Sequence, residues 1–99
     1  MSAFTNIITS GKPVLVDFFA EWCGPCKMMS PILKQLKEEM GDSVTIIKVD
    51  VDKNPGTAGS YNVQGVPTLI LFKDGKVVEQ LIGVQPKESI KRKIDTVVT

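Results

Sequence analysis

Residues 14–19, Val-Leu-Val-Asp-Phe-Phe, constrain the fold more than any other stretch. A short run rich in β-branched and aromatic side chains reads as a strand. Its near-complete lack of polar alternation means that both faces are buried. From Gly24 to Met40 the apolar residues Met28, Met29, Ile32, Leu33, Leu36 and Met40 follow a helical stripe, with Lys34, Lys37, Glu38 and Glu39 opposite. Met28 and Met29 are both expected in the core. Pro31 falls inside this helix and is expected to kink it, because it removes a backbone donor and crowds the preceding turn. Gly41 ends the helix. Val44 to Val51 is the next strand, and strand, helix and strand at these lengths form a parallel βαβ unit with a right-handed crossover.

The flanking segments complete an α/β pattern. Phe4, Ile7 and Ile8 suit a short first helix closed by Gly11 and Pro13. Asn54 to Tyr61 can hold a short helix or a turn. Thr68 to Lys73 and Lys76 to Gly83 read as two strands joined across Asp74-Gly75, a strong hairpin signal. Pro86 to Val98 reads as a last helix, with Pro86 in its first turn, Glu88 near its N-terminal end, and Ile90, Ile94, Val97 and Val98 facing inward. The expected architecture is a mixed four-stranded sheet, βαβ then ββα, flanked by helices. A chain of 99 residues is expected to form one domain over residues 1–99. Folding should leave roughly 5,500 Å² exposed out of about 15,700 Å², enough burial for one real core.

Composition narrows the function. Twelve Lys and Arg against eleven Asp and Glu give a formal charge of +1. That balance lacks the concentrated basic face that nucleic-acid or anionic-membrane binding needs. The longest aliphatic and aromatic run, Leu69 to Phe72, is far too short to span a bilayer. Met1 to Lys12 lacks the basic start and apolar block of a secretory signal, so the expected address is cytoplasmic. There are two cysteines and no histidine, which excludes His-dependent catalysis. A zinc or iron–sulfur site needs about four ligands, which one copy lacks. No bound metal or cofactor is expected.

The chemistry therefore concentrates in Cys23-Gly24-Pro25-Cys26, at the junction of the first strand and the long helix. The spacing puts the sulfurs one helical turn apart, within the reach of a disulfide. Cys23 falls at the helix N-terminus, where free N–H groups and the helix dipole favour a thiolate. Pro25 occupies the first turn, where its missing donor costs nothing. Gly24 leaves room for another backbone to approach the sulfur. A plain structural disulfide is a poorer reading, because a four-residue loop contributes little stability and a chain without a signal meets reducing conditions. Asp17 interrupts an otherwise apolar strand and is expected to be buried with a raised pKa.

Residues 14–27, VLVDFFAEWCGPCK, closely resemble the thioredoxin family. The resemblance continues through Pro31, Val49-Asp-Val-Asp52, Asn54-Pro55, Gly65-Val-Pro-Thr68, Phe72-Lys-Asp-Gly75 and Gly83, covering essentially the whole chain in order. It implies a protein-disulfide reductase, a thiol-disulfide oxidoreductase of the electron-carrier type. Cys23 would attack the substrate disulfide, and Cys26 would resolve the mixed disulfide. Asp17 is implied as proton acceptor for Cys26, and Lys48 as the lysine that interacts with that acid. Pro67 is implied to be cis and to pack against the disulfide. The backbone of Val66 would then pair with an extended substrate segment. Trp22, Gly24, Pro25, Ile82 and Gly83 would complete a flat apolar rim, with Asp52 accepting from the Trp22 indole. The implied partners are disulfide-bearing proteins and a thioredoxin reductase fed by NADPH. The expected state is a monomer.

Two departures stand out. Phe19 occupies a position where the family usually has a second tryptophan, leaving Trp22 alone. The first helix begins almost at Met1, so the usual strand ahead of it is expected to be missing and Val44–Val51 is expected to become a sheet edge. Two alternatives share the fold: a thiol oxidase or disulfide isomerase, and a non-enzymatic binding subunit. Oxidases and isomerases typically carry His between the cysteines, so Gly24-Pro25 argues for a reductant.

Overall fold

The computed structural model describes residues 3–98; Met1, Ser2 and Thr99, the ends of the expected domain, lie outside the described residues. The elements run α1 (Ala3–Ile8), β1 (Val14–Phe19), α2 (Gly24–Met40), β2 (Thr45–Asp50), α3 (Pro55–Ser60), β3 (Thr68–Lys73), β4 (Lys76–Ile82) and α4 (Lys87–Asp95). A 3₁₀ turn over Gly41–Ser43 links α2 to β2. The strands form one sheet in the order β2-β1-β3-β4. β1 pairs parallel with β2 and antiparallel with β3, and β3 pairs antiparallel with β4. The mixed sheet expected from the sequence is present, and β2 is one of its edges.

Alternation along the two inner strands divides the core. On one face Leu15, Leu69 and Leu71 pack with Met29, Leu33 and Leu36 of α2 and with Ile90 and Ile94 of α4. On the other, Val14, Val16, Phe18, Ile70 and Phe72 pack with Ile8 of α1 and Ala58 of α3. Phe4, Tyr61 and Phe72 close that second face with edge-to-face and tilted ring contacts at 5.1–5.8 Å. Asp17 lies in phase with Leu15 and so belongs to the α2 face. Its register partner across the parallel ladder is Lys48.

Local chemistry sets the boundaries. α2 runs through Pro31 without ending. Lys37, in its last turn, donates to the carbonyls of Gly41 at 2.8 Å and Val44 at 2.7 Å, tying the end of α2 to the turn that leads into β2. Glu39 on α2 receives Lys87 and Lys91 of α4. The hairpin turns on Asp74 and Gly75 with φ of 54° and 80°, the two positive values that a two-residue turn matching strand twist requires. At Gly75 a Cβ would also meet Thr9 Cγ2 at 2.9 Å.

The structure corrects three details. Met28 is 62% exposed whereas Met29 is fully buried. The buried residues of α2, Cys26, Met29, Leu33 and Leu36, repeat every three to four positions, and Met28 falls off that stripe. Pro86 is the N-cap of α4, with ψ of 144°, and not part of its first turn. α4 stops at Asp95, so Val98 lies beyond the helix and is exposed, while Val97 still packs on the core.

Candidate active site at the first strand-to-helix junction

β1 delivers the chain to the rim of the sheet, and the buried Ala20 turns it toward α2. The Cys23 N–H donates to the Ala20 carbonyl at 3.1 Å, closing that turn. Cys23 is the N-cap of α2, in extended conformation, and its Sγ accepts from the Cys26 N–H at 3.1 Å. It takes the place that a serine or aspartate oxygen fills at other helix starts. Cys23 and Cys26 are joined by a disulfide, with Cα atoms 5.4 Å apart. Both are nearly buried, at 3% and 4% exposure. No acidic residue sits in the first turn of α2, so nothing there opposes the positive end of the helix dipole. Pro25 is in that first turn, and the space over Gly24 is open.

One flank of the disulfide is polar. Asp17 is fully buried, and neither of its oxygens has a hydrogen-bond partner among the described residues. Burial raises its pKa from 3.8 to about 6, and the positive charge of Lys48 partly offsets that rise. Lys48 Nζ lies 3.4 Å from Ser30 Oγ and 4.5 Å from the centre of the Phe19 ring. A cleft of about 240 Å³ opens here, lined by Phe19, Ala20, Glu21, Cys26, Lys27, Ser30 and Lys48. It gives solvent a route to the Cys26 side of the pair.

The other flank is apolar and made of loops. The Val66–Pro67 peptide bond is cis. Pro67 is buried, and Val66 packs on the cluster of Ala20, Cys23 and Cys26. β3 begins only at Thr68, so the backbone of Val66 lies outside the sheet ladders. Thr68 Oγ1 donates to the Gly65 carbonyl at 2.7 Å, and the Gly83 N–H to the Pro67 carbonyl at 2.9 Å. Gly83 has φ of 85°, which glycine adopts without a side-chain penalty. Trp22 and Ile82 stand out from the surface at 72% and 73% exposure. Trp22 Nε1 donates to Asp52 Oδ2 at 2.8 Å, and the Asp52 N–H donates to Asp50 Oδ1 at 2.9 Å.

The sequence-derived candidates connect to the disulfide in two groups. Lys48 shares a cleft with Cys26, and Asp17 is its register partner on β1; Trp22 precedes Cys23 in the chain, Val66 packs on the cysteine cluster, and Gly83, next to Ile82, hydrogen-bonds Pro67. Sequence reasoning passed over Ser30, although it follows Cys26 by four residues and so shares its side of α2. It treated Phe19 only as a departure, whereas the ring carries the Lys48 ammonium. Among the described residues no group of three or more His, Cys, Asp or Glu could hold a metal ion. No described helix is long and apolar enough to cross a membrane.

Comparison with known proteins points the same way as this geometry. The thioredoxin family model matches residues 1–96. The thioredoxin of Bacillus subtilis strain 168 is 52% identical over 87 residues, covering 88% of this chain and 84% of that protein. The thioredoxin of Alicyclobacillus acidocaldarius is 50% identical over 91 residues, covering 92% and 87%. Among solved structures, a mutant thioredoxin from Halobacterium salinarum NRC-1 superposes with a TM-score of 0.91 at 37% identity, covering 100% of this chain and 86% of that one. Oxidised mitochondrial thioredoxin 3 from Saccharomyces cerevisiae gives 0.86 at 36% identity, covering 95% and 87%. The chain belongs to the thioredoxin family and is a protein-disulfide reductase that works by dithiol–disulfide exchange through Cys23 and Cys26, without a prosthetic group.

Proposed function

We propose the following division of labour for that exchange. The Cys23 thiolate attacks one sulfur of a substrate disulfide, forming a mixed disulfide and releasing the other sulfur, which takes a proton from water. Asp17, acting directly or through a water, accepts the Cys26 proton. The Cys26 thiolate attacks Cys23 Sγ and expels the second substrate thiol. Two electrons pass to the substrate, and the protein is left with the Cys23–Cys26 disulfide seen here. Its buried, unpartnered carboxylate suits Asp17 to this work, because a pKa of about 6 leaves it ionised yet basic near neutral pH. Lys48 holds that pKa from rising further.

Substrate capture falls to the loop flank. The free backbone of Val66 pairs with an extended substrate segment, as in strand addition. Trp22, Gly24, Pro25, Pro67, Ile82 and Gly83 supply a flat contact around the sulfurs. A thiolate alone does not explain fast exchange. Lowering a thiol from a pKa of about 8.5 to about 7, the value typical of thioredoxins, raises the thiolate fraction at pH 7 roughly fifteenfold. The same shift lowers intrinsic nucleophilicity about fivefold. The net gain of about threefold leaves docking and the second thiol to supply the rest.

Residues 1–99 act as one domain and as a monomer in this scheme, since one copy supplies every residue named. A thioredoxin reductase drawing on NADPH returns the pair to the dithiol state, and the setting is the cytoplasm. The observation that carries the reading is a disulfide closed within the first turn of α2, with its sulfurs at the helix N-terminus. The test is the reduction potential of the pair, measured against a thiol buffer by Trp22 fluorescence. A value near the roughly −270 mV typical of thioredoxins supports the reductant. A value above about −200 mV assigns the chain to thiol oxidation or disulfide shuffling. Function retained in a Cys23→Ser, Cys26→Ser double variant points to a binding subunit.

A further inference from the structure

We propose that Ser30 is a positioning residue: its hydroxyl, together with the Phe19 ring, holds the Lys48 ammonium at the mouth of the Cys26 cleft and so sets the working pH of the resolving step. The inference rests on the proposed role of Asp17 as acceptor of the Cys26 proton. Lys48 sits on the edge strand β2 and is exposed as a residue. Its four-carbon stem is free to spread into solvent unless something holds the end. Two contacts do, and they come from different elements. Ser30 Oγ reaches Nζ from α2 at 3.4 Å, and the Phe19 ring lies beneath it from β1 at 4.5 Å. The ring face attracts the cation electrostatically, and the hydroxyl accepts from it. All three residues line the same cleft as Cys26.

The charge so held has charged neighbours on α2: Lys34, Lys37 and Glu38 line an adjoining groove with Ser30 and Lys48. Across the ladder from Asp17 stands Lys48 itself. Glu21 from the β1–α2 loop and Lys27 of α2 lie at the cleft wall, and the two cysteines titrate only once reduced. β3, on the other side of β1, brings Thr68 to Phe72, none of which titrates. The lysines of α4 at positions 87, 91 and 93 pair with Glu39 and Glu79. Among the described residues, Lys48 is the charge that acts on Asp17. Releasing its end lengthens the average separation, weakens the attraction for the carboxylate and moves the Asp17 midpoint upward.

The test titrates the Asp17 carboxyl by ¹³C NMR from pH 4 to 9 in the oxidised protein, where no thiol titrates. The proteins compared are wild type, Ser30→Ala, Ser30→Thr and Lys48→Met. The expected result is a midpoint about 0.4 pH higher in Ser30→Ala, unchanged in Ser30→Thr, and higher still in Lys48→Met. In the reduced protein the resolving step of Ser30→Ala should slow about 1.8-fold at pH 6 and by less than about 1.1-fold at pH 8. A helix-stability effect would slow neither pH selectively. If Ser30→Ala titrates as wild type while Lys48→Met shifts, the clamp is wrong and the Lys48–Asp17 coupling stands. If Lys48→Met also leaves the midpoint in place, the coupling itself is wrong and the clamp falls with it.

Discussion

The two flanks of the disulfide are built from different material. On the strand side, Asp17, Phe19 and Lys48 sit on paired strands, and Ser30 sits on a long helix. Sheet register fixes Asp17 opposite Lys48, and the helix period places Ser30 after Cys26. On the loop side, Trp22, Val66, Pro67 and Gly83 lie outside the strands, and Ile82 is the last residue of β4. That side is apolar, with Trp22 and Ile82 exposed at its rim, whereas the other is charged and buried at Asp17. In the proposed scheme proton handling falls to regular structure, where burial holds the carboxylate away from bulk solvent. The same scheme gives recognition to the loops and the end of β4, where side chains and backbone are free to meet a partner.

Asp17→Asn should divide the two flanks most sharply. Loss of the acceptor should slow resolution of the mixed disulfide on the order of 100-fold at pH 7, while the first attack by Cys23 stays within about twofold; rapid-mixing Trp22 fluorescence separates the steps. The same change should stabilise the fold. The folded pKa of Asp17 lies above its ordinary value, so its contribution is intact below about pH 3.8 and is lost as pH rises to about 6. At pH 7 that loss is worth up to about 3 kcal/mol. Guanidinium unfolding of oxidised Asp17→Asn should therefore show a gain at pH 7 and none at pH 3.5. An equal effect at both pH values would remove the strand side from proton chemistry.

In the unaltered protein the resolving step should fall about tenfold between pH 7 and pH 5, following the Asp17 carboxylate. A flat profile across that range would break the assignment. On the loop side, Ile82→Glu should raise KM for a protein disulfide about fivefold, because it removes apolar contact worth about 1 kcal/mol. Reduction of a small aromatic disulfide should be unchanged; if both substrates suffer alike, the rim does not do recognition. The smallest effect belongs to Asp52→Ala, which removes the acceptor of the Trp22 indole. It should cost about 1 kcal/mol or less and shift the Trp22 emission. An unchanged spectrum would mean the indole is unanchored in solution.

Much of the strand side was legible in the sequence, since it depends on period and pattern. Six apolar-rich residues, a helical stripe and a second strand fix the βαβ unit, and the one acid in the first strand marks Asp17. Cys23 at the helix start follows from where strand and helix meet. The loop side was legible only through resemblance. Nothing in the local sequence of Val66 and Pro67 requires the cis bond or brings them to Cys23. Met28 shows the limit of a stripe read from composition: an apolar residue one position off the buried row faces solvent.

By itself, then, the sequence determined the order of elements, the division of the sheet into two buried faces, and the position of the two thiols at a helix N-terminus. These follow from periodicities of two and of about 3.6 residues, which are properties of neighbouring positions. Only the tertiary structure decided which distant groups meet: Trp22 with Asp52, Gly83 with Pro67, and Lys48 with both Phe19 and Ser30. It also decided that the Asp17 carboxylate has no hydrogen-bond partner among the described residues. Those outcomes depend on burial and on contacts across separate elements, and so on how whole faces pack, a quantity that no local pattern carries.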